Sequence, residues 1–140
     1  MYSWLVGRFI RRQIARMLAG DVRGAVRRMT ADAEFVFPGR TSFAGRFRTR
    51  PEIEAWLERF VSLNPEYNIH DVLVSGPPWN MRVAWRLSDR IGAHYTNEAM
   101  VYATGRWGRI SSQRVFLDTE RVAEWEAAHP EETGRQLARA

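Results

Sequence analysis

The sequence contains neither cysteine nor lysine, and no apolar run approaches the length of a membrane span. Without cysteine, a disulfide framework, a thiolate nucleophile and a cysteine-ligated zinc site are all excluded. A helix that crosses a bilayer needs about 20 consecutive apolar residues, so we expect no membrane partner. The absence of cysteine is compatible with a reducing compartment, and we expect a cytoplasmic protein.

The positive charge is carried entirely by 21 arginines, which exceed the 16 acidic residues and leave a net charge of +5. Nucleic-acid binding is one interpretation of that excess. The arginines are spread along the chain, however, and Arg8, Arg12 and Arg16 have the spacing of a solvated helix face. We therefore expect no nucleic-acid partner. The three histidines show no ligand spacing with carboxylates, so we expect neither a metal nor another cofactor.

Apolar periodicity predicts helices in the first half of the chain. A first helix is expected from Trp4 to Ala19, ended by Gly20, and its apolar stripe faces either the core or, less commonly for such a stripe, a membrane surface. Asp21 is expected to cap a short second helix, and Pro51 to open a third.

Alternating patterns predict extended structure in most of the rest. The predicted strands are Ala33–Phe37, Tyr67–Ser75, Trp79–Asp89, His94–Ala103 and Arg109–Leu117, and a closing helix follows Asp118. Helices followed by antiparallel strands predict an α+β fold with a cupped sheet that encloses a pocket. The 140 residues suit a single domain over residues 1–128, with residues 129–140 as a flexible tail.

Strand alternation assigns side chains to the two faces of this sheet. In the second long strand the apolar set with Trp85 faces the helices. In the third, both sets contain apolar residues; if the set with Glu98, Met100 and Tyr102 faces inward, Glu98 and Gln113 enter an apolar cup. Burial would raise the pKa of such a carboxyl, as suits a general acid or base, although Glu98 at the rim or paired with an arginine is the alternative.

The first long strand offers a second carboxyl. His70 and Asp71 are neighbours and point to opposite faces, so only one of them can enter the cup.

Three segments in this order resemble the nuclear transport factor 2-like superfamily, in its SnoaL-like branch. They are Ala19-Gly20-Asp21 after the first helix, Phe35-Val36-Phe37-Pro38-Gly39 after the second, and the run Gly108–Asp118. The resemblance covers residues 4–126. It implies a cone-shaped, curved antiparallel sheet with N-terminal helices around a cavity, and frequently a homodimer packed through the sheet. Members include polyketide cyclases, ketosteroid isomerases, limonene epoxide hydrolases and proteins without catalytic activity.

The catalytic patterns of these relatives fall mostly on other residue types here. The isomerases' tyrosine position on the first helix corresponds to Gln13, their base to Phe37, and their second aspartate to Glu98. The acidic position of the cyclases and epoxide hydrolases corresponds to Val115. The arginine and second aspartate of the epoxide hydrolases correspond to Trp85 and Leu87.

The leading hypothesis is a cofactor-independent enzyme, of isomerase, cyclase or hydrolase type, that acts on an apolar cyclic metabolite. Glu98 would transfer the proton, with Asp71 as a second group if it points inward. Substrate-binding residues would be Gln13, Gln113 and Tyr102, which orient polar groups, and Phe35, Phe37, Trp85, Met100 and Val115 along the wall. The alternatives are a protein that holds a hydrophobic ligand without turnover, and a partner-binding dimer that uses exposed tryptophans such as Trp79 and Trp107.

Overall fold

A computed structural model describes residues 2–132 and shows a curved six-stranded sheet whose concave face is covered by helices. The helices are α1 (Tyr2–Leu18), α2 (Val22–Arg27), α3 (Arg50–Ser62) and α4 (Thr119–Ala128). The strands are β1 (Met29–Phe37), β2 (Gly45–Phe47), β3 (Glu66–Ser75), β4 (Met81–Ile91), β5 (Tyr95–Arg106) and β6 (Arg109–Leu117).

The strands lie in the order β2-β1-β6-β5-β4-β3. Every neighbouring pair is antiparallel except β1 and β6, which run parallel because the chain crosses from one side of the sheet to the other between them. The predicted α+β fold with a curved, mainly antiparallel sheet is confirmed.

Side-chain caps explain where the helices begin. Asp21 accepts a hydrogen bond from the Gly24 amide and Asp118 accepts one from the Glu120 amide, as the sequence predicted for both starts. The third helix starts one residue earlier than predicted because Thr49 serves as its cap and accepts from the Glu52 amide.

Four of the five predicted strands differ from the prediction at one or both ends, with β3 starting one residue earlier and β4 shifted by two residues. β1 begins at Met29 rather than Ala33, and β5 continues to Arg106. The three-residue strand β2 lies in a segment predicted to be a loop, and it is too short to show a period. Its Phe47 ring packs beside Phe35 of β1, with the ring centroids 6.1 Å apart.

Aromatic side chains form much of the core between the concave face and the helices. Trp56 of α3 lies at their centre, with its ring centroid 4.7 Å from that of Phe35 and 5.1 Å from that of Phe37. Its indole N–H donates a hydrogen bond to the Phe43 carbonyl oxygen at 2.9 Å. The one polar group of this buried side chain therefore has a hydrogen-bond partner.

The C-terminal segment is described only in part. His129 stacks on Trp125 of α4 at a centroid distance of 4.6 Å. Of the predicted flexible tail, residues 129–140, the part from 133 to 140 lies outside the described residues. Within residues 2–132, no helix is long and apolar enough to cross a membrane.

Candidate small-molecule site

Of the two orientations that the sequence left open for β5, the structure has the one that keeps Glu98 out of the cup. Tyr95, Asn97, Ala99, Val101 and Ala103 are the buried set, and they face the helices. Glu98, Met100 and Tyr102 therefore project from the convex, outer face, where Glu98 and Tyr102 are exposed. The catalytic role suggested for Glu98 depended on its burial in the cup and has no support from this geometry.

The volumes of the neighbouring side chains explain this orientation. Val101 pairs with Trp85 across the sheet, and Ala99 pairs with Leu87. Because β4 already fills the concave face with large side chains, small residues fit beside them on β5. The larger Met100 and Tyr102 are left outside, which is why apolar composition alone left the orientation of β5 open.

Asp71 also lies on the outside. A bulge between Ile69 and Asp71 interrupts the pairing of β3 with β4, and both His70 and Asp71 are exposed. The Asp71 carboxylate pairs with the Arg86 guanidinium at 3.1 Å. The suggestion that Asp71 supplies a second catalytic carboxyl inside the cup is therefore wrong in its geometry.

An apolar cleft opens between the N-terminal half of α1 and the ends of β4, β5 and β6. It has a volume of about 350 Å³. Its walls include Leu5, Val6 and Phe9 from α1 and Met81 and Val83 from β4. The Tyr2 hydroxyl donates to the Met81 sulfur at 3.0 Å across one end, which ties the first turn of α1 to the sheet.

The cleft continues into a smaller chamber of about 80 Å³ beneath α1, and the two share Phe9, Ile10, Gly108 and Ile110. Gln13 and Gln113 both line this chamber, beside Trp85, as does Arg28, whose guanidinium lies over Phe9. The Gln13 amide nitrogen is buried without a hydrogen-bond partner among the described residues. A buried amide donor without an acceptor costs free energy, about 1–3 kcal/mol, that a ligand oxygen would recover.

A second cavity of about 40 Å³ lies toward the other end of the cone. Its aromatic walls include Phe37, Trp56, Tyr95 and Trp125, and its one carboxyl is Asp89 of β4. Asp89 is 8% exposed, and its Oδ1 atom has no hydrogen-bond partner among residues 2–132. It also borders an open polar groove of about 620 Å³ beside Asn97 and Arg121, so the carboxyl lies between that groove and the aromatic cavity.

The surroundings of Asp89 alter its protonation. Burial raises the pKa of Asp89 to about 6, because the charged form loses the solvation that water provides. Burial likewise raises the pKa of Tyr67 and Tyr95, which face Asp89 from the two flanking strands and stay neutral. Their hydroxyls accept hydrogen bonds from the Trp85 indole at 2.9 Å and the Asn97 amide at 3.1 Å.

The remaining predicted wall residues lie on the concave side. Phe35 and Val115 are buried in the core, and Phe37 lines the Asp89 cavity. Of the predicted site, Gln13, Trp85 and Gln113 thus meet in one chamber, whereas Phe37 belongs to the second cavity. Within residues 2–132, no three histidine or acidic side chains are grouped closely enough to hold a metal ion.

Asp89 was missed by the sequence reasoning, which treated it as the polar end of a strand. The alternation that placed Met81, Trp85 and Leu87 inward reaches Asp89 at its next step. An acidic residue in phase with a buried apolar set was the signal that could have identified it.

The geometry described above is that of a nuclear transport factor 2-like fold, a sheet curved around a helix-lined interior. A SnoaL-like domain matches residues 10–116, and the chain belongs to this family. No curated protein matches the chain.

Solved structures with the same fold share little sequence with the chain. A nuclear transport factor 2-like protein from Burkholderia xenovorans LB400 is 21% identical, with a TM-score of 0.63 over 84% of this chain and 92% of that one. Bal32a, from a soil-derived mobile gene cassette, is 19% identical, with a TM-score of 0.66 over the same shares. ActVI-ORFA from Streptomyces coelicolor is 19% identical, with a TM-score of 0.62 over 81% of this chain and 94% of that one.

Proposed function

We propose that this SnoaL-like domain binds a mainly apolar small molecule carrying one oxygen function in the cleft and chamber beneath α1. The observation that carries the proposal is the buried, unpartnered Gln13 amide in a chamber whose other walls are largely apolar. A few polar groups in an apolar pocket are typical of small-molecule sites. The Gln13 and Gln113 amides would orient a carbonyl or hydroxyl, and Trp85 would form the wall behind it.

The test compares two ligands that differ by one hydroxyl group. We expect 2-naphthol to bind more tightly than naphthalene by about two- to tenfold in a calorimetric titration, the worth of one net hydrogen bond. The Gln13→Leu/Gln113→Leu double variant should lose this preference and keep its affinity for naphthalene. Asn68→Ala, on the exposed side of β3, is the control and should change neither affinity. Equal affinities for the two ligands in the unmodified protein would contradict the proposal.

Acid–base catalysis is the second candidate function. The carboxyl that would carry it is Asp89 in its cavity, rather than the predicted Glu98. A carboxyl with a pKa of about 6 can take up and return a proton near neutral pH. In this candidate, the Asp89 carboxylate would remove a proton next to a substrate carbonyl. The Tyr95 oxygen accepts a hydrogen bond from the Asn97 amide. Its own O–H group would donate a hydrogen bond to the developing oxyanion.

This candidate is tested by using NMR to follow the exchange of cyclohexanone α-protons for deuterium in deuterated water. Asp89→Asn should lower any exchange that the protein accelerates by about 100-fold or more, and the rate should rise with pH through about 6. Glu98→Gln is the matched control because it neutralises an exposed carboxyl on the other face. A loss in Glu98→Gln with an unchanged Asp89→Asn would restore the original assignment.

The convex face supports the expected homodimer. Leu73, Met100, Tyr102 and Phe116 project from it as exposed apolar side chains, and Asp71 and Arg86 lie among them. Contiguous apolar surface of this kind commonly marks a protein contact. Light scattering that finds a monomer at all concentrations up to the millimolar range would refute a dimer.

A further inference from the structure

Exposed aromatic and basic side chains lie on or next to the segments that line the α1 cleft, and we call them the rim: Trp4, Leu5, Arg8, Trp79, Trp107 and Arg109. Trp4 is 61% exposed, Trp79 60% and Trp107 70%, which are unusual values for a large aromatic side chain that is highly buried on average. Leu5 and Arg109 line the cleft itself. The rim therefore combines large indole surfaces and an apolar opening at one end of the molecule.

The rim tryptophans are held in place by the backbone. Trp79 and Trp107 lie on adjacent turns, with ring centroids 5.9 Å apart, and the Trp107 amide donates to the Pro78 carbonyl oxygen at 2.7 Å. Trp4 is covered on one side by the Arg8 guanidinium, 5.4 Å from its ring. The exposed indoles thus form two fixed groups, one on the strand turns and one on the first turns of α1.

The backbone at Trp107 indicates that this exposure has a use beyond folding. Trp107 and Gly108 form the two-residue turn between β5 and β6, with φ values of 52° and 76°. Such a turn favours asparagine or glycine at its first position, and a bulky residue there is strained. Strain at a position that asparagine would fill better points to selection for the indole.

Charge around the rim is mainly positive. α1 carries four arginines and no acidic residue, and Arg27 and Arg28 at the end of α2 lie near Arg109, whose guanidinium donates to the Arg27 carbonyl oxygen. Asp32 also lies at this end, and its carboxylate forms an ion pair with the Arg106 guanidinium at 3.2 Å. Indole rings and arginines around an apolar opening complement the interfacial region of an anionic bilayer.

We propose that the rim docks on the surface of a negatively charged lipid bilayer, with the indoles in the headgroup region and the arginines on lipid phosphates. No part of the chain needs to cross the bilayer in this arrangement. The docking itself is independent of the ligand; its consequence, that an apolar ligand enters the cleft directly from the bilayer, rests on the proposed function.

Sedimentation of the full chain with vesicles tests the docking. We expect binding to vesicles of phosphatidylcholine mixed with phosphatidylglycerol, weaker binding to phosphatidylcholine alone, and weakening by salt. Arg8→Gln/Arg109→Gln should reduce binding about 25-fold, from about fivefold for each arginine near the surface. The control Arg40→Gln/Arg90→Gln removes the same charge from the opposite end of the sheet and should have less than a twofold effect.

The tryptophans offer a test that misfolding cannot imitate. Trp107→Asn should fold at least as stably as the unmodified protein because asparagine suits the turn, yet together with Trp79→Ser it should weaken vesicle binding on the order of tenfold. Equal losses in the rim and control arginine pairs would overturn the proposal, since net charge alone would then explain the binding. So would a light-scattering result in which the tryptophan variants dissociate an oligomer while vesicle binding is unchanged, because the rim would then contact protein.

These outcomes separate the docking from the proposed function. The vesicles contain no naphthol, and the naphthol titration contains no lipid. Normal vesicle binding with no preference for 2-naphthol would refute the proposed function alone. The reverse result would refute the docking alone.

Discussion

The two pockets inside the cone differ in almost every property that matters for chemistry. The pocket beneath α1 is lined mainly by apolar side chains, with two amides and two arginines, and has no acidic residue on its described walls. The Asp89 cavity is small, lined by aromatic rings and contains a carboxyl with a raised pKa. The first is suited to take up and hold a molecule, and the second to move a proton. The fold keeps them at successive positions along the concave face of β4.

The largest expected effect separates a core cavity from a surface cleft. Trp56→Ala, at the wall of the Asp89 cavity, should lower the free energy of unfolding by about 3–5 kcal/mol, because a large buried ring leaves a void. Leu5→Ala, at the mouth of the α1 cleft, should change it by less than about 0.5 kcal/mol. Urea unfolding measures both. Comparable losses would show that the cleft is part of the cooperative core.

The second prediction concerns the charge of Asp89. Its carboxyl binds a proton more tightly in the folded protein than in the unfolded chain, so folding takes up a proton between about pH 4 and pH 6. Its contribution to stability is therefore greatest below about pH 4, falls as the pH rises to 6, and stays lower by about 2–3 kcal/mol above that.

Asp89→Asn should accordingly stabilise the protein at pH 7 by about 2 kcal/mol and have little effect at pH 4. Urea titrations of the two proteins at both pH values measure the difference. Glu98→Gln, which removes an exposed carboxyl from the other face of the sheet, is the matched control. A stabilisation of equal size at both pH values would mean that packing, rather than charge, explains it.

The smallest of the three predictions tests the boundary between the pockets. The Tyr67 hydroxyl accepts from the Trp85 indole at 2.9 Å, and Trp85 lines the α1 chamber while Tyr67 pairs with Asp89. Tyr67→Phe should cost about 1–3 kcal/mol because a buried indole N–H loses its acceptor. Tyr102→Phe, on the exposed convex face, should cost almost nothing. Similar losses of stability in the two variants would show that the hydrogen bond between Trp85 and Tyr67 does not stabilise the wall between the pockets.

Local patterns predicted the fold more successfully than the site. Caps such as Asp21 and Asp118 act within one turn of helix, so the sequence reveals them directly. The inward face of β5 depends instead on the volumes of its neighbours on β4, which no pattern within β5 records. Gln13 and Gln113 were predicted as site residues and do share a chamber. Asp89 already lay in the predicted strand, and its burial followed only from carrying the inward alternation one step past Leu87.

The parallel pairing of β1 with β6 has a consequence for synthesis. Met29 pairs with Ile110, so the sheet is incomplete until most of the chain has left the ribosome. Long-range pairing of this kind slows folding. Until β6 is made, α1 lacks part of the surface it packs on, which includes Ile110, and a nascent chain arrested before residue 109 should be digested readily by protease. If resistance to protease begins only when β6 has been synthesised, the cone closes in the last stage of translation.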